Sequence, residues 1–148
     1  MYSNILIPID LEHLDMYPKA IDVARQLFGT EGGKIHSLYV DTNQIHNVMF
    51  GQLDNETAEQ RRKEMKRRVA KVFEDHVPEA LRGSCHIRHG VIYDEILEEE
   101  KRIAPDVILI AAGKAGISSY LLGSNAEKVL RHARGNVFVI REGADGKA

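Results

Sequence analysis

Residues 107–126 constrain this chain more than any other stretch. Val107-Ile-Leu-Ile-Ala-Ala112 is an apolar run without polar alternation, the pattern of a parallel strand buried on both faces. It breaks into Gly113-Lys-Ala-Gly116, crosses a short connector, and restarts at Gly123-Ser124-Asn125 with a helical pattern. A strand, a glycine turn and a helix start are the parts of an anion site. Glycines let the backbone come close to a ligand, and the free N–H groups of the first helical turn point at it. The stretch reads as the phosphate-binding edge of a nucleotide site.

The rest of the chain repeats the strand-then-helix rhythm. Ile5-Leu-Ile-Pro-Ile9 is a short apolar strand ending at Asp10, with Pro8 near its C-terminal end because proline lacks an N–H. Ala20, Ile21, Ala24, Leu27 and Phe28 recur at helical spacing over residues 17–28, and Gly29 closes that helix. Lys34–Val40 is the second strand, closed by Asp41. Residues 42–55 lack periodicity and carry an apolar tip, Val48-Met49-Phe50. Such a loop is a lid or partner contact, or its tip simply tucks onto the core.

A long helix follows from Glu56 to His76, with Met65, Val69, Val72 and Phe73 on its inner stripe. Ser84–His89 is a third, more polar strand at the sheet edge. Ile92, Ile96 and Ile103 face inward on the next helix, which Pro105 stops; the fourth strand begins at Asp106. After the glycine segment, Ala126, Val129, Leu130 and Ala133 form an inner helical face, and Asn136–Ile140 is a fifth strand. Residues 141–148 read as a frayed tail on a single domain spanning 1–148. The order β-α-β-α-β-α-β-α-β implies a parallel sheet with helices on both faces and right-handed crossovers.

Composition removes several classes. With 43% hydrophobic and 28% charged residues over 148, the chain is globular rather than disordered. A net charge of −2 argues against nucleic-acid binding driven by overall charge. The cations Arg61, Arg62, Lys63, Lys66, Arg67, Arg68 and Lys71 are interspersed with Glu56, Glu59, Glu64, Glu74 and Asp75, as on a solvated helix face. A single cysteine, Cys85, excludes an internal disulfide framework. No signal peptide or membrane span is evident, so the expected location is the cytoplasm, with no membrane partner. His86 and His89 fall on opposite faces of their strand, which disfavours a metal site with Cys85.

In an open α/β sheet, ligands sit beyond the carboxyl ends of the strands where their order reverses. The first and fourth strands are the natural neighbours there. Asp10 ends one and offers an acceptor to ribose hydroxyls; Gly113 ends the other and opens the phosphate loop. Val40, ending the second strand, offers backbone groups and an apolar wall to a base. Each residue also has a plainer role: Asp10 capping the next turn, Gly113 and Gly116 shaping a turn, Ser124 and Glu127 forming a Ser-x-x-Glu capping box. The P-loop, the dinucleotide glycine fingerprint and the nucleophile-elbow pattern are absent. Binding without fast chemistry is therefore the reading, and no catalytic residue is assigned.

These residues resemble the universal stress protein family, in its ATP-binding branch. The likeness runs through Ile5-Leu-Ile-Pro-Ile-Asp10, Leu38-Tyr-Val-Asp41 and Gly123-Ser-Asn-Ala-Glu-Lys-Val-Leu-Arg-His-Ala133, followed by Asn136–Ile140. The family motif Gly-x2-Gly-x9-Gly-Ser/Thr stands here as Gly113-x2-Gly116, six residues (Ile117–Leu122), then Gly123-Ser124. The connector is therefore shortened, which bears on how it wraps a ligand. The resemblance implies a three-layer α/β sandwich, Rossmann-like and close to the adenine nucleotide alpha hydrolase architecture, with a five-stranded sheet in the order 3-2-1-4-5. It implies ATP with Mg2+ held mainly by the phosphates. Pro8, Ile9, Asp10 and Val40 would surround base and ribose; Ala112, Gly113, Lys114, Gly116, Gly123, Ser124 and Asn125 would hold the phosphates. Asn125 stands where many members carry an apolar residue. The resemblance further implies a homodimer through Val137, Phe138, Val139 and Ile140, and a nucleotide-dependent stress-response regulator with little or slow ATP hydrolysis. The alternatives are a nucleotide-free dimeric interaction module and an adenylyl-transferring enzyme. The latter lacks its usual histidine pair, since His13 stands alone near the start.

Overall fold

Apolar runs without alternation need cover on both sides, and the sheet supplies it. The computed structural model describes residues 2–42, 55–113 and 124–141. Five strands form one sheet: β1 (Asn4–Pro8), β2 (Lys34–Asp41), β3 (Arg82–His89), β4 (Val107–Gly113) and β5 (Asn136–Arg141), in the order β3-β2-β1-β4-β5. Every pairing is parallel. Around the sheet stand α1 (Met16–Leu27), α2 (Asn55–His76), α3 (Ile92–Ile103) and α4 (Ser124–His132). This is the Rossmann-like α/β sandwich, in the strand order expected.

Alternation along the central strands divides the core in two. Ile5, Ile7 and Ile9 join Val107 and Leu109 beneath α1 and α2, meeting Ala20, Ile21, Ala24, Val69, Val72 and Phe73. Leu6, Ile108 and Ile110 point the other way, against Ile92 and Ile96 of α3 and Val129 of α4. Because β1 and β4 are apolar on both faces, neither can move to an edge without exposing one core.

The boundaries depart from the sequence expectation in instructive places. α1 ends at Leu27; Phe28 is extended (φ −66°, ψ 139°) and bridges to Tyr2 while remaining buried. Its helical spacing had a different cause, since an extended residue can reach the same core. Leu130, expected on the inner face of α4, is 50% exposed. Val129 is fully buried and Ala126 and Ala133 pack beside it, so the contact stripe of this short helix is narrow. β3 starts at Arg82, directly after a 3-10 turn over Glu79–Leu81, and lies at the sheet edge as expected. The loop 42–55 falls almost wholly outside the described residues.

Candidate functional site: the carboxyl ends of β1 and β4

The sheet reverses its order at β1, whose neighbours are β2 and β4. On the β2 side the register runs from Asn4↔Lys34 to Pro8↔Leu38. On the β4 side it comprises Ile5↔Val107 and Leu6↔Ile108, while β4 itself continues to Gly113. Pro8 has no N–H to extend that ladder. The β1–β4 ladder thus ends before the carboxyl ends of the two strands, which lie at the switch point where open α/β sheets bind ligands. β4 and β5 remain in register to Gly113↔Arg141, with an irregularity between Ala111 and Gly113 that re-aims the end of β4.

Pro8, Ile9 and Val40 are buried at this end of the sheet, and Ile9 N donates to Leu38 O at 2.8 Å. Asp10 follows, 8% exposed. Its Oδ1 accepts the Glu12 N–H at 3.0 Å, and its Oδ2 lies 3.2 Å from His13 Nδ1. The capping role weighed for Asp10 is thus present as an Asx turn. That turn also fixes the carboxylate at the strand end, where an acceptor for hydroxyl donors is wanted.

Ala112 and Gly113 close β4, as the sequence placed them. Ser124 opens α4 and is exposed, with Asn125 half-buried next to it. Glu127 Oε1 accepts from Arg131 Nη2 at 2.9 Å, so this carboxylate is engaged along the helix rather than at its start. Lys114, Gly116 and Gly123 lie outside the described residues, as does the connector Ile117–Leu122. The described parts of the glycine segment therefore form its two ends: the last residues of β4 and the first turn of α4.

Sequence reasoning overlooked Glu12 and treated His13 only as a solitary histidine. The Asx turn after Asp10 gathers ligand atoms of Asp10, Glu12 and His13 within 4.8 Å of one another. Oxygen and imidazole together suit several divalent ions, yet the internal Asp10–His13 contact already accounts for the grouping. A strand-end Asp followed by polar residues at the second and third positions was the available signal.

Residues 1–141 match the family model described as the universal stress protein family. Universal stress protein G of Escherichia coli O157:H7 is 29% identical over 143 residues, covering 95% of this chain and 100% of that protein. A universal stress protein family protein from Arabidopsis thaliana, solved with AMP bound, has a TM-score of 0.62 at 18% identity, covering 99% of this chain and 95% of its own. A universal stress protein solved in complex with cAMP has a TM-score of 0.60 at 15% identity, covering 95% of this chain and 97% of its own.

Proposed function

This chain belongs to the universal stress protein family, and from that premise we propose that it binds ATP with Mg2+ in the crevice between β1 and β4. The observation that carries the reading is the early end of the β1–β4 ladder, which leaves Asp10 and Gly113 at the mouth of the switch point. Adenine nucleotides in two structural relatives, AMP in one and cAMP in the other, support the ligand class.

In this reading Pro8, Ile9 and Val40 form the apolar wall of the base, and Asp10 accepts a ribose hydroxyl. Ala112, Gly113, Lys114, Gly116, Gly123, Ser124 and Asn125 would hold the phosphates, the last two at the first turn of α4. The dipole of that helix contributes about 0.3–1 kcal/mol for each exposed anionic contact. Mg2+, held mainly by the phosphates, would neutralise their charge. The protein itself supplies binding and orientation, so turnover is slow or absent. Occupancy then governs which partner a cytoplasmic homodimer, joined through β5, engages.

Gentle purification followed by denaturation and mass spectrometry tests the reading directly, with ATP or ADP near one per chain expected. For protein isolated empty, ATP·Mg2+ at about 100 times its dissociation constant should stabilise by roughly 2.7 kcal/mol, seen as a melting shift. Gly113→Val should abolish this shift while leaving the circular dichroism spectrum unchanged, because a branched side chain fills phosphate space at the strand end. Undiminished affinity in that variant would overturn the site assignment. No shift in the unaltered protein would put the nucleotide-free interaction module in its place.

A further inference from the structure

The sheet has an outer edge at β3 that the nucleotide reading leaves unused. β3 is hydrogen-bonded to β2 on one side, and among the described residues no strand pairs with its other side. A groove of about 370 Å³ runs between this strand and α2. Its apolar surface comes from Cys85 and Ile87 on the strand and from Met65 and Val69 on the helix.

The groove also borders His86, between Cys85 and Ile87. Successive strand residues point to opposite faces. Cys85 and Ile87 pack toward the core under α1 and α2, whereas His86 Nδ1 lies 2.8 Å from Glu99 Oε2 of α3, on the opposite face. The groove therefore lies on the α2 side of β3, the outermost strand, next to the edge that no described strand covers.

Charge narrows the occupant. Arg62 and Lys66, four residues apart on one face of α2, are exposed at the rim, and neither makes an ion pair with a described residue. His89 stands at the end of the strand, 3.9 Å from Asp41. Among the described residues, no carboxylate lines the groove. The strand itself, Arg-Gly-Ser-Cys-His-Ile-Arg-His, has no acidic residue, and its Arg88 and His86 already meet Glu99, so the positive charge facing the groove comes from Arg62 and Lys66 on α2. Cations beside an open edge deter pairing with a second copy of the same edge, and they attract an acidic strand. The other edge, β5, is equally free of acids, so a second copy offers no complementary strand.

We propose that the open edge of β3 and the groove beside it dock an extended acidic segment of a partner protein, which adds a sixth strand to the sheet. Main-chain hydrogen bonds supply the register, alternate apolar side chains enter the groove over Cys85 and Ile87, and flanking carboxylates meet Arg62 and Lys66. A small anionic amphiphile would fill the groove but leave the strand's backbone groups unanswered.

The probe is a fluorescein-labelled, end-blocked peptide alternating valine with glutamate or aspartate over seven residues, followed by fluorescence polarisation with the full chain. Saturable binding is expected, with none for the same peptide carrying lysine at the acidic positions. Methylating alternate backbone amides should weaken binding about tenfold, since it removes the ladder while preserving charge. The pair Arg62→Glu, Lys66→Glu should also weaken it about tenfold. Arg25→Glu with Arg131→Glu, the same change in net charge placed away from the groove, should have little effect. Equal binding of the methylated peptide would overturn strand addition in favour of a small-anion groove. Equal losses from both charge-reversed pairs would reduce it to general attraction, and no binding of the acidic peptide would refute it outright.

Discussion

Ala104 occupies the left-handed region at φ 45° and ψ 61°, the only non-glycine residue among those described with positive φ. It caps α3, its N–H donating to Glu100 O at 2.8 Å, and Pro105 follows it. A Cβ in this region costs roughly 1 kcal/mol, and glycine avoids that cost while keeping the same hydrogen bond. Ala104→Gly should therefore stabilise the protein by up to about 1 kcal/mol, offset in part by the greater freedom of glycine in the unfolded chain. The urea midpoint measures it, and a lowered midpoint would contradict the cap assignment. Residue roles of this kind were only half legible. Pro105 announced the helix end through its missing N–H and fixed φ, but nothing in the sequence marked Ala104 as left-handed, because alanine ordinarily continues a helix. Asp10 was legible as a strand-end acid. Its contact with His13 depends on a turn whose geometry composition does not encode. Cys85 is partly buried, and burial, with the nearby Glu74, pushes its thiol up to about 12, so it stays protonated at neutral pH.

At the scale of elements, α3 carries the least expected feature. Glu98, Glu99 and Glu100 look like a solvated acidic run, yet Glu99 and Glu100 are buried. Glu100 accepts the backbone N–H groups of Arg134 and Gly135 at 2.9 and 3.0 Å, and so fixes the turn between α4 and β5. Glu99 reaches under β3, accepting from Arg88 Nε at 3.0 Å and Arg102 Nε at 3.0 Å, with His86 beside it. Helical periodicity put Ile92, Ile96 and Ile103 inside correctly, but it reads carboxylates as outside by default. The deciding partners sit on β3, far away in sequence. Burial raises the Glu99 carboxyl, and hydrogen bonds from Arg102, His86 and Arg88 overcome this and hold it at about 2. A depressed carboxylate stabilises fully above the unfolded value near 4.3, and that contribution fades as pH falls toward 2. Glu99→Gln should cost about 2 kcal/mol at neutral pH, allowing for solvent screening of the partly exposed cations. The difference between variant and unaltered protein should shrink on acidification from pH 5 toward 2. Urea unfolding at pH 7 and pH 3 tests this, and a loss independent of pH would assign Glu99 to packing alone.

For the whole molecule, the strand order places two unlike edges at opposite ends of the sheet. β3 is polar and basic, whereas β5 presents Val137, Phe138, Val139 and Ile140, with Phe138 42% exposed. Val137 packs toward the core under α3 and α4, and Ile140 toward the opposite core, so each face of β5 is anchored while its outer edge lacks a strand partner among the described residues. An apolar edge of this kind invites pairing, and a two-fold axis beside β5 would bring two copies of the same patch together. Burying the 42% of Phe138 still exposed contributes about 1 kcal/mol, and a dimer buries two. Phe138→Lys removes that contribution and sets two cations across the axis. Light scattering and sedimentation at micromolar concentration should give twice the chain mass for the unaltered protein and the chain mass for the variant. Its melting midpoint at high dilution should change little, because Phe138 is largely outside the monomer core. A variant that remains dimeric would move the interface elsewhere, with the basic edge at β3 the poorer alternative on charge grounds.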